Sequence, residues 1–280
     1  MLYGWVVESD LQFPELIVSE GIPQVFVRLV REDVHKKENA LSFVIDKVAQ
    51  YIITGGDEIT IVPHTEDESL LRLYTLGNAF GALIHQRGLL AMHGCTILCD
   101  QKGIMFCGSS GAGKSTMAAA FIRQGLQVLS DDVSIISVSK DIPYVRPSYP
   151  QIRLWDQPFY ETIVERNKGV RIHPDEEKYA YRIEKNFHSD VVPLSHIYML
   201  RRGDYNKIEE VTGVEKFEIV SAQTYRQVFI QQLNNQWTHF NILTKVLPAV
   251  RVFKLFYPDN IEMIGQVAGN VLSHVASYEK

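Results

Sequence analysis

Residues 1–65 alternate apolar and polar positions in short runs. Trp5-Val6-Val7, Leu16-Ile17-Val18, Val25 to Val30, Ser42 to Ile45, Ala49 to Ile53 and Glu58 to Val62 carry the two-residue period of strands. Thr54-Gly55-Gly56-Asp57 separates the last two, and a glycine pair between alternating runs predicts a tight hairpin. A small, mainly antiparallel β region is expected over 1–65. From about Glu66 to Gln86 the period changes. Leu70, Leu71, Leu73, Tyr74, Leu76, Phe80, Leu83 and Ile84 recur at helical spacing, with acids before and Arg87-Gly88 after, which predicts a buried helix.

Leu89 to Leu98 and Ile104 to Cys107 are apolar enough for buried strands joined by a turn at Cys99 to Gly103. Strong helix formers fill Ser115 to Arg123, with Gly125 at a helix-ending position. Further strands are expected at Leu126 to Leu129, Val133 to Val138, His196 to Arg201 and Val250 to Phe256, and helices near Ser221 to Asn234 and Asn260 to Tyr278. Ile142 to Pro158 is punctuated by proline and reads as loops and short strands. Pro158 to about Phe187 is charged and irregular, in the manner of a mobile lid or substrate loop. Strands alternating with helices make this an α/β chain.

The chemistry concentrates between Gly103 and Asp132. Gly108-Ser109-Ser110-Gly111-Ala112-Gly113-Lys114-Ser115 fits the spacing G-x-x-x-x-G-K-[ST], followed by Thr116. Glycines at those positions let backbone N–H groups turn inward around phosphate oxygens, and the helix N-terminus behind them favours an anion. Lys114 adds a point charge for the β- and γ-phosphates, and the Ser115 hydroxyl suits Mg²⁺, which prefers oxygen ligands. A plain glycine turn before a helix is the bland alternative, disfavoured by the strand, loop and helix order. Asp131-Asp132 follows the next strand, where open α/β sheets bind ligands at strand carboxyl ends. Adjacent carboxylates there supply a base and a metal contact; doubled aspartates that merely cap a turn are the alternative. His93, before Gly94, lies within reach as a hydrogen-bond partner, although a lone histidine is more often a core residue. The cations Lys168, Arg171, His173, Lys178, Arg182 and Lys185 can meet phosphate.

Composition narrows the field only a little. With 46 % apolar and 22 % charged residues over 280 positions, the chain is an ordinary globular one, divided on its patterning into 1–65 and 66–280. A net charge of −5 and no basic stripe argue against a nucleic-acid partner. No stretch has the apolar length of a membrane span and the start lacks a leader pattern, so no membrane contact and a cytoplasmic location are expected. Cys95, Cys99 and Cys107 are expected as reduced, buried thiols.

The block His93-Gly94, Gly108 to Thr116 and Ser130-Asp131-Asp132-Val133 resembles the catalytic domain of HPr serine kinase/phosphorylase over about residues 88–155. That resemblance implies a P-loop kinase core using ATP and Mg²⁺, with Asp131 as base toward a serine hydroxyl, His93 beside it, Lys114 on the phosphates, and Ser115 with Asp132 at the metal. Its signature arginine falls on Arg153 in Gln151-Ile152-Arg153-Leu154, while the acid that precedes it in the family is missing here, which puts the reverse reaction in doubt. The layout is more similar to the relatives encoded with ribosomal peptide pathways. The implied partner is a peptide or protein carrying an acceptor serine, including the C-terminal serine of a lasso-peptide precursor, with a homo-oligomer as in the family. A small-molecule kinase shares the loop but usually starts near it. An ABC-type ATPase would need a Leu-Ser-Gly-Gly-Gln segment, which does not occur. A nucleotide-dependent sensor remains the non-catalytic alternative.

Overall fold

The computed structural model describes residues 1–31, 40–155, 160, 168–173 and 176–278. The chain opens with β1 (Val7–Ser9), β2 (Val25–Leu29), β3 (Leu41–Ile45), β4 (Ala49–Thr54) and β5 (Glu58–Pro63). They form one sheet in the order β1-β2-β5-β4-β3. The β4–β5 hairpin turns at Gly55 and Gly56, whose φ of +63° and +75° suit residues without a Cβ. The sheet is mixed and not mainly antiparallel, because β2 pairs in parallel with both β1 and β5. Leu16 to Val18 is not a strand: Leu16 packs on the core, Val18 is 96 % exposed, and the segment pairs with no described strand.

Asp67 caps the following helix by accepting from the Ser69 and Leu70 N–H groups. The helix runs as α1 (Glu68–Tyr74), a π turn at Thr75–Ala79, and α2 (Phe80–Gln86). Its apolar face, including Leu71, Phe80, Leu83 and Ile84, closes over Tyr51, Ile53 and Ile61 of the first sheet. The same cluster takes in Ala91, Val133 and Ile135, so the N-terminal sheet shares a core with the strands that follow.

Those strands begin with β6 (Leu90–Cys99) and β7 (Lys102–Cys107), then α3 (Lys114–Arg123), β8 (Val128–Ser130), β9 (Val133–Ser139), β10 (Ile142–Arg146) and β11 (Gln151–Trp155). Next come β12 (Val170–Arg171), β13 (Lys178–Arg182), β14 (Val192–Arg202), β15 (Lys207–Glu210), α4 (Gly213–Ser221), α5 (Val228–Gln232), α6 (Gln236–Ala249), β16 (Arg251–Tyr257) and α7 (Ile264–Ala276). Among the described residues the main sheet has the order β10-β9-β6-β7-β14-β16-β15, with β8 also on β6. It curls far enough for β10 to pair with β14. Among its described strands, the parallel pairings are β7–β14 and β14–β16.

Burial on both faces explains the unbroken apolar run of β7. Ile104 and Phe106 join α3 and α7 through Phe121, Met117 and Val271, whereas Met105 and Cys107 face α4 and α6 through Val220, Leu243 and Val246. The result is a mixed α/β architecture with helices on both sides of one sheet.

Two expected elements differ. The helix over Ser221 to Asn234 breaks into the end of α4 and the short α5, because 222–227 is tied to β6: His93 N–H donates to the Gln223 carbonyl and Tyr225 N–H to the Ala91 carbonyl. Arg226 and Asn234, at φ +51° and +55°, leave the helical region. The expected irregular lid at Pro158 to Phe187 lies partly outside the described residues, at 158–159, 161–167 and 174–175. Its described part contains β12 and β13, which build an antiparallel sheet of order β11-β13-β12. Cys95 and Cys107 are buried, but Cys99 is only partly so.

Because α2 bridges the two sheets, Phe80→Ala should cost about 3–5 kcal/mol, the range for emptying a buried aromatic site. Urea unfolding of a Trp155→Phe, Trp237→Phe background, followed by the remaining Trp5 fluorescence and by far-UV circular dichroism, should give one coincident transition. Two separated transitions would show that the N-terminal sheet folds independently.

Candidate active site

The Gly108 to Gly113 loop joins the end of β7 to the start of α3. Gly113 is required there: its φ is +91°, and a Cβ would run into the Tyr257 hydroxyl, which donates to the Ala112 carbonyl and pins the loop. Lys114 is buried, and its ammonium donates to the Gly108 and Ser109 carbonyls at 2.9 and 3.0 Å. Burial holds its pKa below the usual lysine range. An ammonium and the first N–H groups of a ten-residue helix at one point make an anion grip.

The two acids are set by the turn between β8 and β9. β8 is not beside β7, since β6 lies between them, but β8 and then β9 follow β6 in the direction of β7, and the break that holds the acids comes level with the loop-bearing end of β7. The intervening strand brings His93 and Gly94 to that end, where Gly94 N–H donates to the Asp132 carbonyl at 3.1 Å. Asp132 has a φ of +72°, a left-handed conformation that asparagine and aspartate tolerate better than most residues.

Their environments differ sharply. Asp131 is 8 % exposed; its Oδ1 accepts from the Ser115 hydroxyl at 2.9 Å and its Oδ2 from the Arg153 backbone N–H at 2.8 Å. Burial raises its pKa, and the Arg153 N–H bond works against that rise. Asp132 lines the cavity beside Lys114, and its Oδ2 accepts from Arg153 Nη1 at 2.8 Å. Burial pushes its carboxyl upward, but Arg153, His93, Lys178 and Lys114 together hold it below the ordinary aspartate range. The Ser115 hydroxyl thus bonds Asp131, while Asp132 bonds Arg153.

His93 Nδ1 lies 3.2 Å from the Asp132 carbonyl oxygen and 3.6 Å from Asp132 Oδ1. Its ring stacks on Tyr225, and burial, reinforced by Lys114, lowers its pKa and favours the neutral ring. Arg153 also donates to the Tyr149 hydroxyl at 3.2 Å. Burial opposes its charge, but Tyr149 and the two aspartates more than offset that.

A cavity of about 470 Å³ opens in front of these groups. It brings together the predicted His93, Ser110, Gly111, Gly113, Lys114, Ser115, Thr116, Asp132 and Arg153. Gly108, Ser109 and Ala112 shape the loop through their backbone, while the Thr116 hydroxyl bonds that of Tyr160 at 2.9 Å. Sequence reasoning missed Arg202 and Tyr257, which β14 and β16 deliver to the cavity from strand ends parallel to β7. Their positions, two basic or aromatic residues just after apolar strands, were the available signal. Lys178 also reaches this cavity.

No family model matches the sequence. Among curated proteins, interferon-inducible GTPase 5 of Bos taurus is 33 % identical over 111 residues, covering 38 % of this chain and 23 % of that protein. The chain thus spans less than a quarter of that relative's length. Among solved structures, the Hpr(Ser) kinase/phosphatase from Coxiella burnetii aligns at a TM-score of 0.37 and 12 % identity, covering 68 % of this chain and 99 % of that one. The functional reading rests on the geometry of this chain.

Arg153→Met tests the acid pair's support. The depressed Asp132 pKa implies stabilisation that is full above the unfolded value of about 3.9 and lost as pH falls through the folded value. The variant should lose about 1.5–3 kcal/mol at neutral pH, the range for hydrogen bonds to charged groups. Denaturant titrations should show that loss narrowing at acid pH, and a pH-independent loss would refute the account.

Proposed function

We propose that this chain is a Mg²⁺-assisted phosphotransferase that moves the terminal phosphoryl group of ATP to a serine hydroxyl on a peptide or protein, such as the C-terminal serine of a ribosomal peptide precursor. The observation that carries this reading is the convergence of Lys114, Ser115 and Asp132 on one cavity at the N-terminus of α3. The donor set fits magnesium: the Ser115 hydroxyl and a buried carboxylate of Asp131, 2.9 Å apart, are hard oxygen ligands. When bound, the magnesium nucleotide supplies the phosphoryl group and a divalent charge that offsets the negative charge gathering on it.

The residues divide the remaining work. Backbone N–H groups of Gly111 to Ser115 and the Lys114 ammonium hold phosphate oxygens. Ser115 and Asp131 hold the metal. This assignment differs from the one the family resemblance implies; it is supported by Asp131 having both carboxylate oxygens engaged behind Ser115 while Asp132 faces the cavity. Asp132 accepts the acceptor's proton at Oδ1, the oxygen that Arg153 leaves for another partner. Arg153 is a positioning residue that fixes the carboxylate and keeps it ionised, and His93 positions Asp132 through its backbone carbonyl.

The similarity to a GTPase favours one second reading, in which water takes the acceptor's place and a guanine nucleotide is the donor. The same loop, metal ligands and base serve that reaction. Parallel assays of ATP and GTP hydrolysis and of peptide phosphorylation by intact mass separate the two.

Lys114→Ala should weaken binding of a fluorescent ATP analogue by about 10- to 100-fold, the worth of a charge-assisted contact. Asp132→Asn should leave that binding largely intact and slow transfer by about 10²- to 10⁴-fold. Asp131→Asn should instead raise the Mg²⁺ concentration needed for half-maximal rate. Normal transfer by the Asp132→Asn protein, with loss in Asp131→Asn at saturating Mg²⁺, would restore the opposite assignment.

A further inference from the structure

A second cleft, of about 730 Å³, lies beside the first and shares Arg153 with it. Its floor is one face of the β11-β13-β12 sheet. Gln151 sits opposite Arg182, and Arg153 opposite Ala180, which also faces Val170. Its wall is the polar side of α1 and the turn after it, with Ser69, Arg72, Leu73 and Leu76. The cleft therefore runs from the outer strand β12 to the residue that holds Asp132.

The lining is charged in one sense. Six cations, Arg72, Arg153, Lys168, Arg171, Arg182 and Lys185, stand against two carboxylates, Glu15 and Glu184, in a chain whose net charge is −5. Arg72 pairs with Glu15 at 3.2 Å, Arg182 with Glu184 at 2.6 Å and Arg153 with Asp132 of the first cavity at 2.8 Å, which leaves the positive excess on the β12 side and at Lys185. Arg171 gives its Nε–H to a neutral partner, the Glu176 carbonyl. Leu73, Leu76, Val170, Ile172 and Ile183 supply apolar surface between the cations.

We propose that this cleft binds the acceptor as an extended acidic peptide, in which acidic and apolar side chains alternate and the serine reaches Asp132 past Arg153. This rests on the transferase reading and names its substrate class. Three observations select the occupant. The cleft's size suits a ligand of several residues. Its lining mixes cations with apolar side chains such as Leu73, Val170 and Ile172, which matches a peptide carrying both acidic and apolar residues. Its cations stand in a chain of net charge −5, unlike the basic excess usual in a nucleic-acid binder.

The test uses the full-length protein with a non-hydrolysable ATP analogue and Mg²⁺. The probes are a fluorescein-labelled peptide holding one serine among alternating aspartates and valines, and the same peptide with asparagines replacing the aspartates. Fluorescence anisotropy should show the aspartate peptide binding at least about tenfold tighter, the size of one charge-assisted hydrogen bond. Arg171→Ala combined with Lys185→Ala, both at exposed positions, should reduce that affinity by about tenfold or more, with the thermal melt confirming the fold. Equal binding of the two peptides, no binding of either, or unchanged affinity in the double variant would overturn the proposal. So would equally tight binding of a single-stranded oligothymidylate of the same charge. Selective peptide binding without nucleotide binding would support the cleft and sink the transferase reading, whereas nucleotide binding and transfer without charge selectivity would sink the cleft alone.

Discussion

Arg153 bonds both acids of the site, Asp131 through its backbone N–H and Asp132 through its guanidinium. That double attachment ties the three-stranded sheet to the β8–β9 turn of the main sheet. Charge-assisted bonds in a largely buried setting are strong because little water competes for either partner. They also set the two carboxylates apart. One is drawn behind the Ser115 hydroxyl and the other is held ionised at the cavity wall. A pair of adjacent aspartates with identical side chains thus acquires two environments, and two environments permit two roles.

The loop and the acids meet because of the sheet's mixed direction. β7 and β8 run the same way on either side of β6, which runs against both, so the break that holds the acids comes level with the loop-bearing end of β7 at one edge, and β6 contributes His93 there. Strand β14, parallel to β7, and β16, parallel to β14, bring Arg202 and Tyr257 to that edge as well. Helices packed on both faces make the edge rigid, through Phe106 and Phe121 on one side and Met105 and Leu243 on the other. Rigid strands are better supports than loops for groups that must act within tenths of an ångström.

The pattern of apolar positions was enough to locate the hairpin at Gly55-Gly56, the helix over α1 and α2, the strand, loop and helix around Lys114, and the acid turn at Asp131-Asp132. These signals are local: a glycine pair, a helical period and a glycine-lysine spacing state their geometry within a few residues. The 222–227 segment was misread for the opposite reason, since its backbone bonds run to β6, far away in sequence. Leu16 to Val18 failed likewise. Three apolar residues carry strand propensity, but a strand needs a partner edge, and the segment pairs with no described strand.

By itself, then, the amino-acid order determined the α/β class, the glycine-rich loop between a strand and a helix, and the presence of two neighbouring carboxylates and a histidine, because each depends on backbone conformations or charges set by adjacent residues. The tertiary structure alone decided which aspartate meets Ser115, that Arg153 holds both acids, and that a basic cleft leads to the same point. Those facts depend on strand order and register, and contacts between residues as distant as Ser115 and Asp131, or Asp132 and Arg153, exist only after the sheets have packed.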